Sequence, residues 1–331
     1  MILTIIIVNY NSKKVLYDCL NSIKDSGFNG KYEILVVDNN SSENIKDLEN
    51  AFPWVNYYYN SSNLGFGAAN NIGIKKSTGK FVLLLNPDTV INKDSLAPMI
   101  EYLNNHDDVG IVGCKIYDKT GEIERSTHSF PSLAKEFVHA NEFIKKMLSY
   151  ESFSGPMLKK IFNSKSFESY WDHDSIKEVD HVTGACMMVK KEVIEKVGLL
   201  DEAFFLYNEE VEWSYRIKKA GYKTIFLPDS NIIHLFGFST KQRVQKQAIN
   251  KLLVERYRGM FYYFQKHYGF IKLFALKSIV LQGFGIRLLF TYIKFLKSSN
   301  ESKEKLKTEM KFIRNIISLI RTNNFDWRKN S

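Results

Sequence analysis

The chain is paced by long apolar runs that break off into knots of polar residues. ILTIIIVNYNS (2–12), YEILVVDNNSSE (32–43) and KFVLLLNPDT (80–89) all share this form. An apolar run without alternation is the pattern of a strand buried on both faces. Between the runs the spacing turns helical. Val15, Leu16, Cys19, Leu20 and Ile23 predict a helix over Lys13–Ser26 with Ser12 as candidate N-cap. A short helix at Ile45–Ala51 and a strand at Val55–Tyr59 follow, then the Gly-rich entry to a helix in NLGFGAANNIGIKKSTG (63–79). Asp94–Asn104 reads as a helix and Val109–Tyr117 as a further buried strand. Buried strands alternating with helices give an α/β fold, a mostly parallel sheet covered on both faces. Ligands of such sheets bind beyond the carboxyl ends of the strands. The polar clusters Asn9–Asn11, Asp38–Asn40 and Asn86–Asp88 fall there by construction.

The pattern lapses over Ser129–Lys177, where helical spacing recurs only in Phe137–Leu148 and Met157–Phe162. This stretch is expected to be a helical insertion near the acceptor side of the pocket. The scaffold resumes with EVDHVTGACMMVKKEVIEKVG (178–198), which holds a bend at Thr183–Ala185. FFLYNEEVEWSYRIKKAGY (204–222) then places three carboxylates at a helix start. Glu210 heads the stripe Trp213, Ser214, Ile217 and Gly221, the face expected to turn inward. Glu212 stands four residues before Arg216, an ordinary surface ion-pair spacing, while Glu209 shares a face with Glu212 and Trp213. Acids in a first turn can also serve only the helix dipole. YKTIFLP and NIIHLFGFS follow, and from Lys241 the chain reads as mainly helical.

Composition sharpens this picture in three places. A hydrophobic content of 44% with 14% aromatics supplies a sizeable core, which excludes a disordered tail-protein. Cys19, Cys114 and Cys186 lack any CxxC or Cys/His ligand spacing, which points to reduced, buried thiols and away from a structural zinc site. The formal charge of +10 is concentrated at one end, since residues 271–331 hold thirteen Lys or Arg against four Asp or Glu. A basic tail suggests an anionic partner. Nucleic acid fits poorly, because no recognition motif accompanies the charge. Leu273–Leu296 is apolar but interrupted by Lys277, Arg287 and Lys294, so a basic helix lying on an anionic membrane surface fits it better than a spanning one. Packing on a second subunit is the other expectation for these helices.

In their order, VNYNS, VVDNNSSE, NLGFGAANNIGI, LLLNPDT, TGACMMVKKEV, FFLYNEEVEWSYRIKKAGY and IIHLFGFS resemble the family 2 glycosyltransferases with the GT-A fold, and among them the bacterial rhamnosyltransferase-type enzymes of polysaccharide assembly. The resemblance covers about residues 1–240, the expected catalytic domain (less the insertion at 129–177), and leaves 241–331 as a basic helical appendage. It implies that Val8, Asn9, Tyr10 and Asp38 hold base and ribose, with Asn63, Gly65, Asn70 and Asn86 along the nucleotide. Asp38 could equally be the cap of a βα turn. Asn86–Pro87–Asp88 stands at the family's DxD position, with Asn where relatives have the first Asp. Asp88 is thereby implied as the main ligand of Mg²⁺ or Mn²⁺, and His234 as a second one. Glu210 matches the acid presumed to be the general base, as Glu where relatives commonly have Asp. Gly184, Ala185, Glu209, Glu212 and Trp213 are implied to line the acceptor side or brace the helix.

The implied reaction is inverting transfer from a nucleotide sugar, dTDP-rhamnose first and UDP-hexose next, to a glycan or lipid-linked acceptor at the cytoplasmic membrane face. Two rival readings are a sugar-nucleotide pyrophosphorylase and a non-catalytic carbohydrate- or membrane-binding protein on the same fold. The first lacks a Gly-rich basic loop after strand one, and the second does not account for Asp38, Asp88, Glu210 and His234 together.

Overall fold

The computed structural model describes residues 1–141, 173–235, 246–323 and 325–329. Its chain groups into two compact units, one made of Met1–Phe130 with Asp172–Val244 and the other of Pro131–Trp171 with Gln245–Ser331.

The first unit is built on a ten-stranded sheet, with a separate two-stranded one. Strands β1 (Leu3–Asn9), β2 (Tyr32–Asp38), β3 (Asn56–Tyr59), β4 (Phe81–Leu85), β5 (Thr89–Ile91), β6 (Val109–Asp118), β7 (Ile123–Glu124), β8 (Thr127–His128), β9 (Lys177–Val179), β10 (His181–Val182), β11 (Cys186–Lys190) and β12 (Lys223–His234) are joined by helices. The main path runs β3-β2-β1-β4-β11-β6-β12-β5. Its first four strands are parallel, β11 enters antiparallel between β4 and β6, and β6 and β12 are again parallel. Every residue of β1, β4 and β11 is buried, as expected of central strands covered on both faces.

Helices α1 (Lys13–Asp25), α2 (Lys46–Ala51) and α4 (Leu96–Asn105) cover one face through Leu16, Leu20, Leu48, Met99 and Leu103. Helices α3 (Phe66–Lys76), α6 (Lys191–Val197) and α7 (Glu209–Lys219) cover the other through Ile74, Val193, Trp213 and Ile217. Ser12 does not cap α1 with its side chain, since its hydroxyl donates to the Tyr10 carbonyl. β5 escapes the sequence reading because three residues are too few for a period to show. Cys19, Cys114 and Cys186 are free and buried, and burial pushes the Cys19 thiol up to about 12, out of use as a nucleophile.

The second unit contains α5 (Leu133–Ala140), α8 (Lys246–Lys297) and α9 (Asn300–Arg321). α8 kinks at Gly269, whose φ of 76° is a conformation glycine adopts without strain. α5 lies against α8 so closely that a Cβ at Gly283 would stand 2.3 Å from the Ala140 carbonyl oxygen. α5, the described part of the expected insertion, thus groups with the C-terminal helices. Most of Phe137–Leu148 and all of Met157–Phe162 lie outside the described residues. Among the described residues one helix, Asn250–Lys297, is long and apolar enough to cross a membrane by length and composition.

Candidate active site

Parallel strands deliver their polar ends to one edge of the sheet, and there the side chains bond one another. Asn9 Nδ2 donates to Asp38 Oδ1 (2.7 Å) and to Ser41 Oγ (3.0 Å). Ser41 adds its hydroxyl to Asp38 Oδ1 (2.6 Å) and its backbone N–H to Oδ2 (3.0 Å). Asp38 is thus both the turn cap and a carboxylate with accepting capacity left on Oδ2. Asn9 is wholly buried and acts on Asp38, and Val8 packs into a core cluster with Val37 and Ala69. Both side chains are thus turned into the protein, leaving their backbone at the strand end. Tyr10, one residue on, is exposed.

Asn39, which the sequence reading did not single out, is the hub of the adjoining loop. Its amide nitrogen donates to Asn63 Oδ1 (2.8 Å) and to the Gly65 carbonyl (3.2 Å). Its oxygen accepts from Asn60 Nδ2 and the Leu64 N–H, both at 3.0 Å. The signal for it was present in DNN directly after a buried strand, a place where Asn organises turns. Gly65 has φ +83°, and a Cβ there would come within 2.4 Å of the Phe205 carbonyl oxygen, which accepts from the Phe66 N–H (2.8 Å). Asn70 is 1% exposed and its amide donates to the Phe66 carbonyl four residues back, which stiffens α3.

The second cluster lies past β4. The Asn86 N–H donates to the Ala185 carbonyl (3.0 Å), tying the Asn-Pro-Asp turn to the Thr183–Ala185 bend. The Leu235 N–H donates to the Asp88 carbonyl (2.8 Å), and His234 pairs with Thr89 across the β5–β12 ladder. These bonds bring His234 Nε2 to 3.2 Å from Asp88 Oδ1 and 3.5 Å from Asn86 Nδ2. On the far side of the ring, Nδ1 donates to Glu124 Oε2 at 3.0 Å. Burial pulls the imidazole down, but hydrogen bonds with Asp88 and Glu124, and their charges, outweigh it and push it up to about 9. A buried carboxylate oxygen and an imidazole nitrogen this close suit one divalent cation, whose ligands at about 2.1 Å stand roughly 3 Å apart. Among the described residues no group of three or more His, Cys, Asp or Glu side chains could hold a metal, so oxygens of a bound diphosphate and water would complete the shell. Glu124 had no sequence signal, because its partner lies 110 residues away on another strand.

The third cluster heads α7. Tyr207 and Asn208 have φ of 70° and 74°, a conformation uncommon for residues other than glycine, and together they swing the chain into the helix. Trp213, Ser214 and Ile217 are buried on the inward face as expected, but the acids at its head are not the expected one. Glu209 (3% exposed), Glu212 (0%) and Trp213 lead it, while Glu210 stands half-buried at its margin. Glu212 is no surface partner. It accepts from Arg216 Nε at 2.9 Å on both oxygens, and the same guanidinium donates to the Val197 and Leu199 carbonyls. Trp213 Nε1 donates to the Gly198 carbonyl (2.8 Å), so both residues brace α7 against the end of α6. Ideal Cβ positions put Gly67 3.6 Å from the Glu209 Cβ and Gly184 3.9 Å from the Glu210 Cβ. Gly184 and Ala185 thus adjoin both Glu210 and the Asn86–Asp88 turn.

Burial, and then the charge of Glu210, raise Glu209 well above the ordinary 4.5. A carboxyl raised in the folded state favours folding when protonated. Its contribution is whole below 4.5 and is lost as pH rises from there through the folded value. Glu209→Gln is therefore expected to flatten the decline of melting temperature with rising pH, the gap over the parent opening above 4.5. Thermal unfolding over a pH series checks this, and parallel curves would overturn it.

The family profile described as glycosyl transferase family 2 matches residues 4–198. The chain is 28% identical over 226 residues to a low-salt glycan biosynthesis hexosyltransferase of Haloferax volcanii, a match over 66% of this chain and 62% of that protein. It is 24% identical over 219 residues to an N-acetylglucosaminyl-diphospho-decaprenol L-rhamnosyltransferase of Mycobacterium tuberculosis, over 62% of this chain and 67% of the relative. Against rhamnosyltransferase WbbL of Escherichia coli it is 24% identical over 238 residues, 70% and 82% of the two chains. Among solved structures, a mannosyltransferase from Pyrobaculum calidifontis in complex with GDP-Man and Mn²⁺ superposes with TM-score 0.53 at 15% identity, over 96% of this chain and 85% of that one. GalNAc-T7 with UDP, GalNAc and Mn²⁺ gives TM-score 0.53 at 16% identity, over 80% and 50%. The architecture is the GT-A fold.

Proposed function

The chain belongs to glycosyl transferase family 2, and on that premise we propose that it moves a sugar from a nucleoside-diphosphate donor to a hydroxyl of a glycan or lipid-linked acceptor, inverting the anomeric centre. dTDP-rhamnose is the first candidate donor and a UDP-hexose the next, a ranking supported by relatives named rhamnosyltransferases and a hexosyltransferase. The observation that carries the reading is the approach of His234 to Asp88, 3.2 Å apart beyond the strand ends, with Glu210 at the margin of the helix that adjoins the same bend.

Asp88 and His234 would hold Mg²⁺ or Mn²⁺ with Asn86 alongside, and the bound cation offsets charge gathering on the departing diphosphate. Asp38, steadied by Asn9 and Ser41, accepts from the base or a ribose hydroxyl. The loop ordered by Asn39 lets the Gly65 backbone approach the nucleotide. Glu210 takes the proton of the acceptor hydroxyl as its oxygen bonds to the anomeric carbon. The bond from that carbon to the phosphate oxygen breaks in line, and its electron pair leaves with the nucleoside diphosphate. Glu209, which favours its protonated form, does not compete for that proton.

The test is release of nucleoside diphosphate and transfer of labelled sugar across a panel of nucleotide sugars with Mn²⁺ present. Failure of every donor, with acceptor glycans supplied, would overturn the reading. Formation of nucleoside triphosphate and sugar 1-phosphate from a nucleotide sugar and added pyrophosphate would instead favour a pyrophosphorylase.

Glu124 enters this scheme as a positioning residue. Holding His234 Nδ1, it fixes the ring so that Nε2 faces Asp88. Glu124→Gln is expected to weaken Mn²⁺ binding by about 10- to 100-fold, as loss of an outer partner of a ligating histidine does. Calorimetric Mn²⁺ titration reads this directly. Unchanged affinity with unchanged thermal stability would remove Glu124 from the site.

A further inference from the structure

The part of α8 beyond Gly269 has two unlike sides. Its inner side buries Leu273, Leu276, Val280 and Phe284, with the Phe284 ring 6.0 Å from that of Phe312 on α9. Polar partners lock this side in place. Arg287 pairs with Glu309 at 2.9 Å, and Lys277 Nζ donates to the Thr322 carbonyl at 2.8 Å. The outer side is apolar and exposed, with Phe270, Ile271 (82% exposed), Phe274, Leu281, Leu289 (59%) and Leu296 in a single arc at helical spacing. From Phe270 to Leu296 the helix runs roughly 40 Å at about 1.5 Å per residue. Soluble monomers rarely leave an apolar face of this extent uncovered.

The charge around the face says what covers it. Phe270–Lys297 carries five Lys or Arg and no Asp or Glu. Where the stripe ends, at the turn into α9, an open pocket of about 490 Å³ is lined by Lys294, Lys297 and Lys305 with Ser298, Ser302, Ile293 and Leu306. The N-terminus of α9 adds its positive dipole end there. We propose that this face lies flat on an anionic phospholipid bilayer, its apolar side chains at the acyl boundary and its lysine pocket on headgroup phosphates. The proposal stands independently of the transfer reading.

Two other arrangements fit less well. A two-fold contact between copies would bring Lys272, Lys294 and Lys297 of each towards the other with no acid on the segment to pair them. A spanning helix would carry Arg287 and Lys277 into hydrocarbon and strip them from Glu309 and Thr322.

The experiment is co-sedimentation of the full chain with vesicles of pure phosphatidylcholine and of phosphatidylcholine mixed equally with phosphatidylglycerol. Binding is expected only to the anionic vesicles and is expected to weaken with added salt. Lys294→Glu with Lys297→Glu should lower it at least 25-fold, about fivefold for each cation near the leaflet. Phe274→Glu with Leu289→Glu should lower it by at least about tenfold, since each removes a large apolar side chain from the interface. Both pairs are exposed, so the melting temperature and the release of nucleoside diphosphate from a soluble donor should hold. Equal binding to both vesicle types, or to neither, overturns the proposal. So does a Phe274→Glu/Leu289→Glu variant that turns an oligomer into a monomer by light scattering while binding vesicles as the parent does. A catalytically inert parent that still binds anionic vesicles would sink the transfer reading and leave this one intact.

Discussion

Glu210→Gln is expected to lower the rate of sugar transfer by about 10²–10⁴-fold, the contribution of a positioned general base, while donor affinity stays at the parent value. The exchange keeps shape and removes only the ability to take a proton. Glu210 is half-buried at the head of α7, so the amide meets no packing penalty of the kind a core site imposes. No neighbour can take over. Glu209 is 3% exposed and raised by burial and by Glu210 itself, and Glu212 has both oxygens on Arg216. Single-turnover transfer with saturating donor, paired with calorimetric donor binding, separates the two effects. Turnover within a few-fold of the parent would dismiss Glu210 as the base. Glu210→Asp, which shortens the reach by one methylene, should keep part of the rate if proton transfer is what the residue does.

The second large effect is expected for Asp88→Asn. A fall in kcat/KM of about 10²-fold or more follows from losing the charged ligand, since a bound cation contributes several kcal/mol to stabilising a departing diphosphate. Folding should survive, because the Asp88 backbone carbonyl still accepts from the Leu235 N–H and the turn still hangs on the Ala185 carbonyl. The diagnostic is a Mn²⁺ titration in which Asp88→Asn loses affinity while nucleoside binding without metal persists. Full activity in a chelator, for parent and variant alike, would overturn the metal assignment. Glu210→Gln, by contrast, should bind Mn²⁺ as the parent does, so the two variants divide base from metal site.

Much of the site was open to reading along the chain. Runs such as LTIIIVN and FVLLL have no periodicity to mistake, and their polar ends had to gather at one edge of a parallel sheet. Asp38, Asn86 and Asp88 were found on that ground. The burial of Asn70 was not legible in that way, because it depends on which side of α3 turns under, where its amide bonds the Phe66 carbonyl. Glu212 was misread for a different reason. An i,i+4 acid–base pair has the same spacing on a surface as in a core, and only the carbonyls of Val197 and Leu199 around Arg216 make this one buried.

By itself, then, the amino-acid sequence determined the central strands, the helices covering them and the polar clusters at the strand ends, because those follow from burial repeating over a few neighbouring residues. Tertiary structure alone decided that Glu124 holds His234, that Glu209 rather than Glu210 is the deep acid of its pair, and that α5 packs with α8. Each of these depends on which surface a distant segment covers. A carboxylate 110 residues from its imidazole, or a glycine at 283 pressed on a carbonyl at 140, leaves no period in the chain to read.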